Sequence, residues 1–425
     1  MGSRRAVSAV LVSVALLAAA CVVALVTSSR SNPVGTSPAE SKPVNRSFGQ
    51  WIGTWATAPA LARHLRCAQC TIRNVVHSSA GGPALRIRLS NAYGVGPLLV
   101  GHATAALPAT PDSPAATPDT MRDVTFDGRP DVRIPAGGVV WSDPVRMTVP
   151  ADHDLLVTTY LPSGRPTVDS HPVARQVSYL AGGTDAADDV GGVRFTRTTG
   201  HWYVLTGVDV RATGYQGALV TLGDSITDGV GSTAGANRRW PDLLADRLLS
   251  RPAGQRMSVL NVGIAGNRLL LGARTPGLGR RALTRLDPDV LDQTGVRTVF
   301  LLEGINDIQE RPHQVHAARI IAGYRELIED AHAHGLRIVG ATLTPFGGWR
   351  VYNARLERVR ETVNAWIRTS GTFDAVVDMD AAMRSPGDPH RLAPEYDSGD
   401  HLHPSDAGYA AMAGAVDIAT LQPPA

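Results

Sequence analysis

Ser225 lies in LVTLGDSITDGVG (219–231), where an apolar run stops at Gly-Asp-Ser and a second Gly-rich turn follows within a few residues. A serine hydroxyl is a weak nucleophile until a neighbouring base takes its proton. Set just after a buried strand, it would be exposed, with the next backbone amides pointing into the same space to stabilise a developing oxyanion. Taken alone, the same serine could equally cap the following helix. A base is available in SGDHLHPSDAGY (398–409), which carries Asp400, His401, His403 and Pro404. The spacing of Asp400 and His403 lets a carboxylate hold one ring nitrogen while the other faces outward; His401, between them, points elsewhere. The plainer reading is a polar loop before a C-terminal helix, DAGYAAMAGAV. Asn306 in EGIND offers an amide NH2, and Gly266 in GIAGN a backbone N–H. Each is also an ordinary turn residue. Asp307 could cap the segment that follows, and Asp388 and Arg391 read as solvated surface. His332 and His334 sit at a helix C-terminus, which suits cationic side chains, so neither a metal nor a cofactor is expected.

These residues need elements to place them. From about residue 217, short apolar runs alternate with helical ones. GALVTLG, MSVLNVGIAG, VRTVFLLEGIND, LRIVGATLTP and FDAVVDMD read as strands. WPDLLADRLLS, VHAARIIAGYRELIEDAHAHG and RLERVRETVNAWIRTSG read as helices. Such alternation predicts a parallel, doubly wound sheet. Ligands bind such sheets at the carboxyl ends of the strands, and the polar punctuation falls there: Gly-Asp-Ser, Gly-Ile-Ala-Gly-Asn and Gly-Ile-Asn-Asp. From about 50 to 215 the texture is β: ALRIRLSNAYG, LLVGHATAAL, DVTFDG, VVWSDPVRMTVP, DLLVTTYLP and WYVLTGVDV, separated by Gly, Pro and Asp. Many short strands with frequent turns predict a β-sandwich, jelly-roll-like. Residues 107–120 read as a Pro-rich surface loop. Trp141, Tyr160, Trp202 and Tyr203 lie in strand-like runs and read as core before they read as sugar-stacking platforms.

A chain of 425 residues favours two domains. Its 43% hydrophobic and 19% charged content is that of a globular protein. The net charge, 41 − 38 = +3, is too small to argue for nucleic acid. Lys42 is the sole lysine, so nearly all positive charge is arginine. Arg4 and Arg5 precede the uncharged stretch 6–27, so residues 1–28 read as a signal peptide cleaved near Ser28 or as a retained membrane anchor. Either way the rest is sent out of the cytoplasm. Cys21 follows Ala19-Ala20 as in a lipobox, but more apolar residues come after it, so it reads as part of the apolar segment. Residues 29–48 have linker composition. The expected domains are a β-sandwich over 49–215 and a catalytic domain over 216–425. Cys67 and Cys70 form a CxxC pair. No second pair exists to complete a four-cysteine zinc site, and no βα pattern surrounds them as in a redox site. In an exported chain the expectation is a local disulfide, with free thiols the alternative.

GDSITDG, GIAGN, GIND and DHLH, in that order, resemble the four blocks of the SGNH (GDSL) hydrolase family over about residues 217–418. The resemblance implies a flavodoxin-like α/β/α sandwich. It implies Ser225 as nucleophile, His403 as general base and Asp400 as its orienter. The Ser225 amide, Gly266 and Asn306 would form the oxyanion hole. GTWATAP (53–59), SNAYG (90–94) and the GDHLHP form of the last block resemble an exported bacterial subgroup with an N-terminal β domain. Many family members carry Gly where this chain has His401. The expected function is extracytoplasmic serine ester hydrolysis through an acyl-enzyme, on a small acyl ester, a lipid or an acylated glycan. The alternatives are a carbohydrate deacetylase, an O-acyltransferase acting on a glycan, and a non-catalytic envelope-binding protein. Loops 268–288 and 344–352 would shape the pocket. Arg268, Arg274, Arg280, Arg281 and Arg285 could favour an anionic substrate, but a solvated basic surface is the preferred reading.

Overall fold

The computed structural model describes residues 49–272 and 278–422, which fall in one compact unit. The expected signal or anchor segment, Cys21, the 29–48 linker and Arg274 lie outside the described residues.

The second half is built on a five-stranded parallel sheet. In chain order its strands are Tyr215–Gly223, Arg256–Asn261, Val296–Leu302, Arg337–Ala341 and Ala375–Val377. In space the second lies outside the first, and the third, fourth and fifth follow on the other side. This 2-1-3-4-5 order is the flavodoxin-like one, and it puts the crevice in which such sheets bind ligands at the carboxyl ends of the paired strands one and three. The central strands are buried on both faces, which is why they read as continuous apolar runs. The connecting helices carry their own start signals. Trp240–Leu249 has Pro241 in its first turn. Asn353 caps Ala354–Thr369, and Ser405 caps Asp406–Ala415. Ala317–Ala333 buries Ile320, Tyr324, Leu327, Ile328 and Ala331, one stripe at helical spacing.

The first half is β throughout, and its ladders are antiparallel. One sheet joins Gln50–Ala56, Leu205–Ala212, Gly82–Ser90 and Val145–Val149, with Val139–Trp141 also on Gly82–Ser90. A second runs Arg197–Thr199, Ser178–Ala181, Cys70–Ser78, His153–Leu161, His102–Ala106 and Arg122–Asp123. A third joins Trp202–Tyr203, Thr167–His171 and Leu61–His64. Two expected strands are split. LLVGHATAAL breaks at Gly101, its pieces pairing with Val132–Ile134 and His153–Leu161. VVWSDPVRMTVP breaks around Pro144, and both pieces lie on Gly82–Ser90. Of DVTFDG only Asp123 is in a strand.

Cys67 and Cys70 form a disulfide at the start of Cys70–Ser78, an inner strand of the second sheet. Trp202 and Tyr203 are buried as core, while Trp141 and Tyr160 are half-buried. Ile52, Leu85 and Ile87 of the first sheet and Ile72 and Val157 of the second belong to one apolar cluster with Val220, Leu222 and Leu260 of the parallel sheet. The two halves therefore share a core. The seam also has directed bonds: Gly53 N–H to Thr294 O at 2.9 Å, and Val259 N–H to Ser79 Oγ at 3.0 Å.

Candidate active site

At the end of the first parallel strand, Asp224 takes an extended conformation and its carboxylate accepts the Ile226 N–H at 3.0 Å. Asp224 is the cap, and Ser225 opens the helical turn Ser225–Asp228. The capping role weighed for Ser225 is thus held by its neighbour. The preceding Gly223 has no room for more: a Cβ there would lie 2.2 Å from Thr227 Oγ1 and 2.5 Å from Leu302 O. Ser225 is only 5% exposed. It sits inside the crevice, not on an open lip as its place after the strand suggested.

His403 Nε2 lies 2.8 Å from Ser225 Oγ, and His403 Nδ1 lies 2.6 Å from Asp400 Oδ2. A carboxylate only accepts, so Nδ1 carries the proton and Nε2 of the neutral ring is free to accept from the serine hydroxyl. Asp400 Oδ1 accepts the backbone N–H groups of Leu402 (2.9 Å) and His403 (2.8 Å). Burial works against ionisation of Asp400, but the hydrogen bonds from the His403 ring and these two amides hold its carboxyl well below the usual aspartate range. His401 turns away, its Nδ1 on Asp397 at 2.6 Å. Its φ of 70° lies in the left-handed region that glycine enters freely. Asp388 and Arg391 are exposed, as expected.

Gly266 and Asn306 lie in the next two turns. Gly266 has φ 75°, and a Cβ would meet Leu278 Cδ2 at 2.5 Å, so the turn requires glycine. Asn306 Nδ2 donates to Asn267 O at 2.9 Å, tying its turn to the one that carries Gly266. Its Oδ1 accepts from Gln309 Nε2 (2.6 Å), and Gln309 Oε1 accepts from Trp349 Nε1 (2.8 Å). The Trp349 ring stands edge-on to His403 with centroids 6.2 Å apart. The Gly266 turn is also tied to the Ser225 turn. Ala265 N–H donates to Asp228 Oδ2 at 2.8 Å, and Asn261 Nδ2 donates to Thr227 O at 2.7 Å. The structure thus joins Ser225, His403 and Asp400 by direct hydrogen bonds, and links the Gly266 and Asn306 turns to them through Asp228 and Asn267.

Three buried carboxyls underlie the turns. Asp307 caps nothing; its oxygens accept the Leu269 and Leu270 N–H groups at 2.7 and 3.0 Å. Burial pushes its carboxyl up. Burial pushes Asp224 up to about 7, with Asp307 and Asp228 adding to the effect. Burial and then Asp224 raise Glu303 well above the glutamate range.

The preferred reading of a solvated basic surface fails for two arginines. Arg285 is 2% exposed and donates to Asn267 Oδ1, Val262 O and Gly223 O while pairing with Asp289. It braces the ends of the first two parallel strands. Arg268, 7% exposed, donates to Pro312 O at 2.8 Å. Arg280 and Arg281 are exposed, and Arg280 lies over the Tyr93 ring. Their chain neighbourhood is basic, but one helical turn decides which side chain points inward. His332 contacts Asp374, and His334 the carbonyl of Asp330. Among the described residues Glu357, Glu361 and His390 come within ligand spacing of one another, and Glu357 is already held by the Arg360 guanidinium.

The sequence reading missed Asn267, Gln309, Trp349, Asp228 and His171, which contacts Asp228. Gln309 stands one helical turn after Asn306, Asp228 ends the turn that Ser225 begins and Asn267 directly follows Gly266. Trp349 and His171 reach the site through tertiary contacts.

Residues 221–411 match the sequence model of the GDSL-like Lipase/Acylhydrolase family. Similar solved structures include an acetylxylan esterase from Geobacillus stearothermophilus, 23% identical, with 48% of this chain and 93% of that one covered and a TM-score of 0.36. A GDSL-like lipase from Bacteroides thetaiotaomicron is 19% identical, with 47% and 85% covered and a TM-score of 0.36. No curated protein matches the chain. The match places residues 221–411 in the GDSL-like lipase/acylhydrolase family and the chain among the carboxylic ester hydrolases.

Proposed function

We propose that this chain is an extracytoplasmic serine esterase acting through an acyl-enzyme on Ser225. The hydrogen-bonded line Ser225 Oγ, His403 and Asp400 carries the reading. His403 Nε2 takes the hydroxyl proton as Oγ attacks the ester carbonyl carbon, and Asp400 stabilises the imidazolium that forms. The N–H groups of Ser225 and Gly266 and the second amide proton of Asn306 stabilise the oxyanion. The imidazolium returns its proton to the leaving alcohol. Water, deprotonated by the same nitrogen, then releases the acid. The deep placement of Ser225 favours a short acyl group. Residues 49–215 are the accessory β-sandwich domain and 216–425 the catalytic one. The Cys67–Cys70 disulfide fits an oxidising compartment.

The test is hydrolysis of p-nitrophenyl acetate, butyrate and octanoate by the purified protein beside Ser225→Ala and His403→Ala. Each substitution is expected to lower kcat by about 10⁴-fold or more, and acetate to be the best substrate. A folded parent no faster than Ser225→Ala would end the reading.

A further inference from the structure

His171 closes the strand Thr167–His171 in the β half, yet its ring is buried against the nucleophile turn. It is 2% exposed. Its Nδ1 lies 2.8 Å from Ala58 O, and its Nε2 lies 3.0 Å from Asp228 Oδ1 and 3.3 Å from Val173 O. All three partners are acceptors. A neutral imidazole has one N–H and would set a lone pair against an oxygen on one side. The ring satisfies both sides only as an imidazolium. Burial favours the neutral form, but Asp228 together with the Ala58 and Val173 carbonyls outweighs it and the His171 pKa is raised. Other titratable or charged groups nearby are Asp169, on the same strand and held by Ser90 Oγ and the Ala92 and Tyr93 N–H groups, His201 and Arg239. His201 is pushed down to about 4 by burial, then by Arg63 and by His171 itself, and stays neutral. Arg239 lies across the Trp202 ring that packs on His171, and pairs with Asp242.

Asp228 is the last residue of the turn that Ser225 begins, and it has a second task. Its Oδ1 faces His171 while its Oδ2 accepts the Ala265 N–H, one residue before Gly266. Two hydrogen bonds, the first buried and the second half-buried, therefore run from the β half to the turn that carries the proposed oxyanion donor. Taking the esterase reading as given, we propose that His171 is a positioning residue for the reaction: its imidazolium fixes Asp228, and Asp228 fixes the Ala265–Gly266 turn in register with Ser225. The β half then contributes to the transition state without touching substrate. A misalignment of even about 1 Å at such a donor can cost on the order of 100-fold in rate.

The experiment compares the full chain with His171→Phe, His171→Gln, Asp228→Asn and the Phe/Asn double variant. Readouts are kcat and KM on p-nitrophenyl acetate, and hydrogen–deuterium exchange of the segment 262–267. Phe fills the space without a donor, whereas Gln can still donate to Asp228. The expected result is a 10- to 100-fold fall in kcat for Phe with KM within about twofold, and substantial recovery in Gln. The double variant should be no worse than the poorer single one, because both break the same line. Exchange at 262–267 should rise in Phe while the rest of the sheet stays protected. Unchanged kcat in Phe, a Gln variant as impaired as Phe, or multiplicative losses in the double variant would each overturn the proposal. If the parent itself hydrolyses no ester, the esterase reading has failed. Exchange then decides this one alone, and unchanged protection at 262–267 in His171→Phe overturns it.

Discussion

Asn306 has two amide protons, and one is already given to the Asn267 carbonyl. Gln309 holds its oxygen, so the amide cannot flip and the second proton has one fixed direction. That is what a preorganised oxyanion donor needs, since its geometry is set before charge develops. Asn306→Ala should lower kcat by about 10²- to 10³-fold with little change in KM. Gln309→Leu keeps the donor but frees its orientation, so its loss should be smaller, about 10-fold. Steady-state kinetics on p-nitrophenyl acetate checks both, and a Gln309→Leu loss equal to that of Asn306→Ala would contradict the ranking. At this scale the sequence was informative where chemistry dictates residue type. Ser225, Asp400, His403, Gly266 and Asn306 stood out as candidates because few residue types serve such roles, but each alone also had a plain reading, and their roles came from the resemblance of the four ordered blocks to the SGNH family. Asn267, Arg285 and Asp228 could not, because a polar side chain bracing a backbone carbonyl or amide looks like any loop residue until the fold brings its partner near.

The element that matters most is the four-residue turn Ser225–Asp228. It is too short to hold itself, and its start depends on the Asp224 cap. Asp224 is buried and its carboxyl is raised from 3.8 to about 7. A raised acid favours folding while protonated. Between those values the unfolded chain loses this proton and the folded chain keeps it, so the group's stabilising contribution is full below about 3.8 and gone above about 7. The melting temperature should therefore decline with rising pH across that window, with Glu303 and Asp307 pushing the same way. Asn caps as well as Asp but carries no proton to lose. Asp224→Asn should flatten the decline, as thermal melts at several pH values will show; an unchanged slope would remove Asp224 as its source. Long elements were legible from period, as Ala317–Ala333 and Ala354–Thr369 show. Turns such as Ser225–Asp228 and Ile305–Gln309 span barely one period and leave no pattern. Cys70–Ser78 was missed for a related reason: eight of its nine residues are buried, so no alternation of polar and apolar marks it as a strand.

Across the whole molecule, the parallel sheet does not end at its own edge. Arg256–Asn261 is the outermost strand on its side, and the β half covers it. Gly53 packs so closely that a Cβ would stand 2.7 Å from a Leu260 methyl. The backbone N–H of Val259 is satisfied by Ser79 Oγ, a residue of the other half. Arg86 and Asp209 pair at 2.8 Å, and both bond to Thr294 Oγ1 across the seam. Removing residues before 214 would bare apolar surface around Leu260 together with a strand edge, the combination that invites association between copies. It would also take away His171 and leave Asp228 buried without its cationic partner. The segment 214–425 expressed alone should therefore be aggregated or loosely folded, with esterase activity at least 100-fold below the full chain. The full chain should unfold in one transition, since its halves share a core. Size-exclusion chromatography, calorimetry and p-nitrophenyl acetate hydrolysis test this together. A monomeric 214–425 fragment with parental kcat would mean that the catalytic turns hold their register unaided. The seam would then serve only to attach the β half.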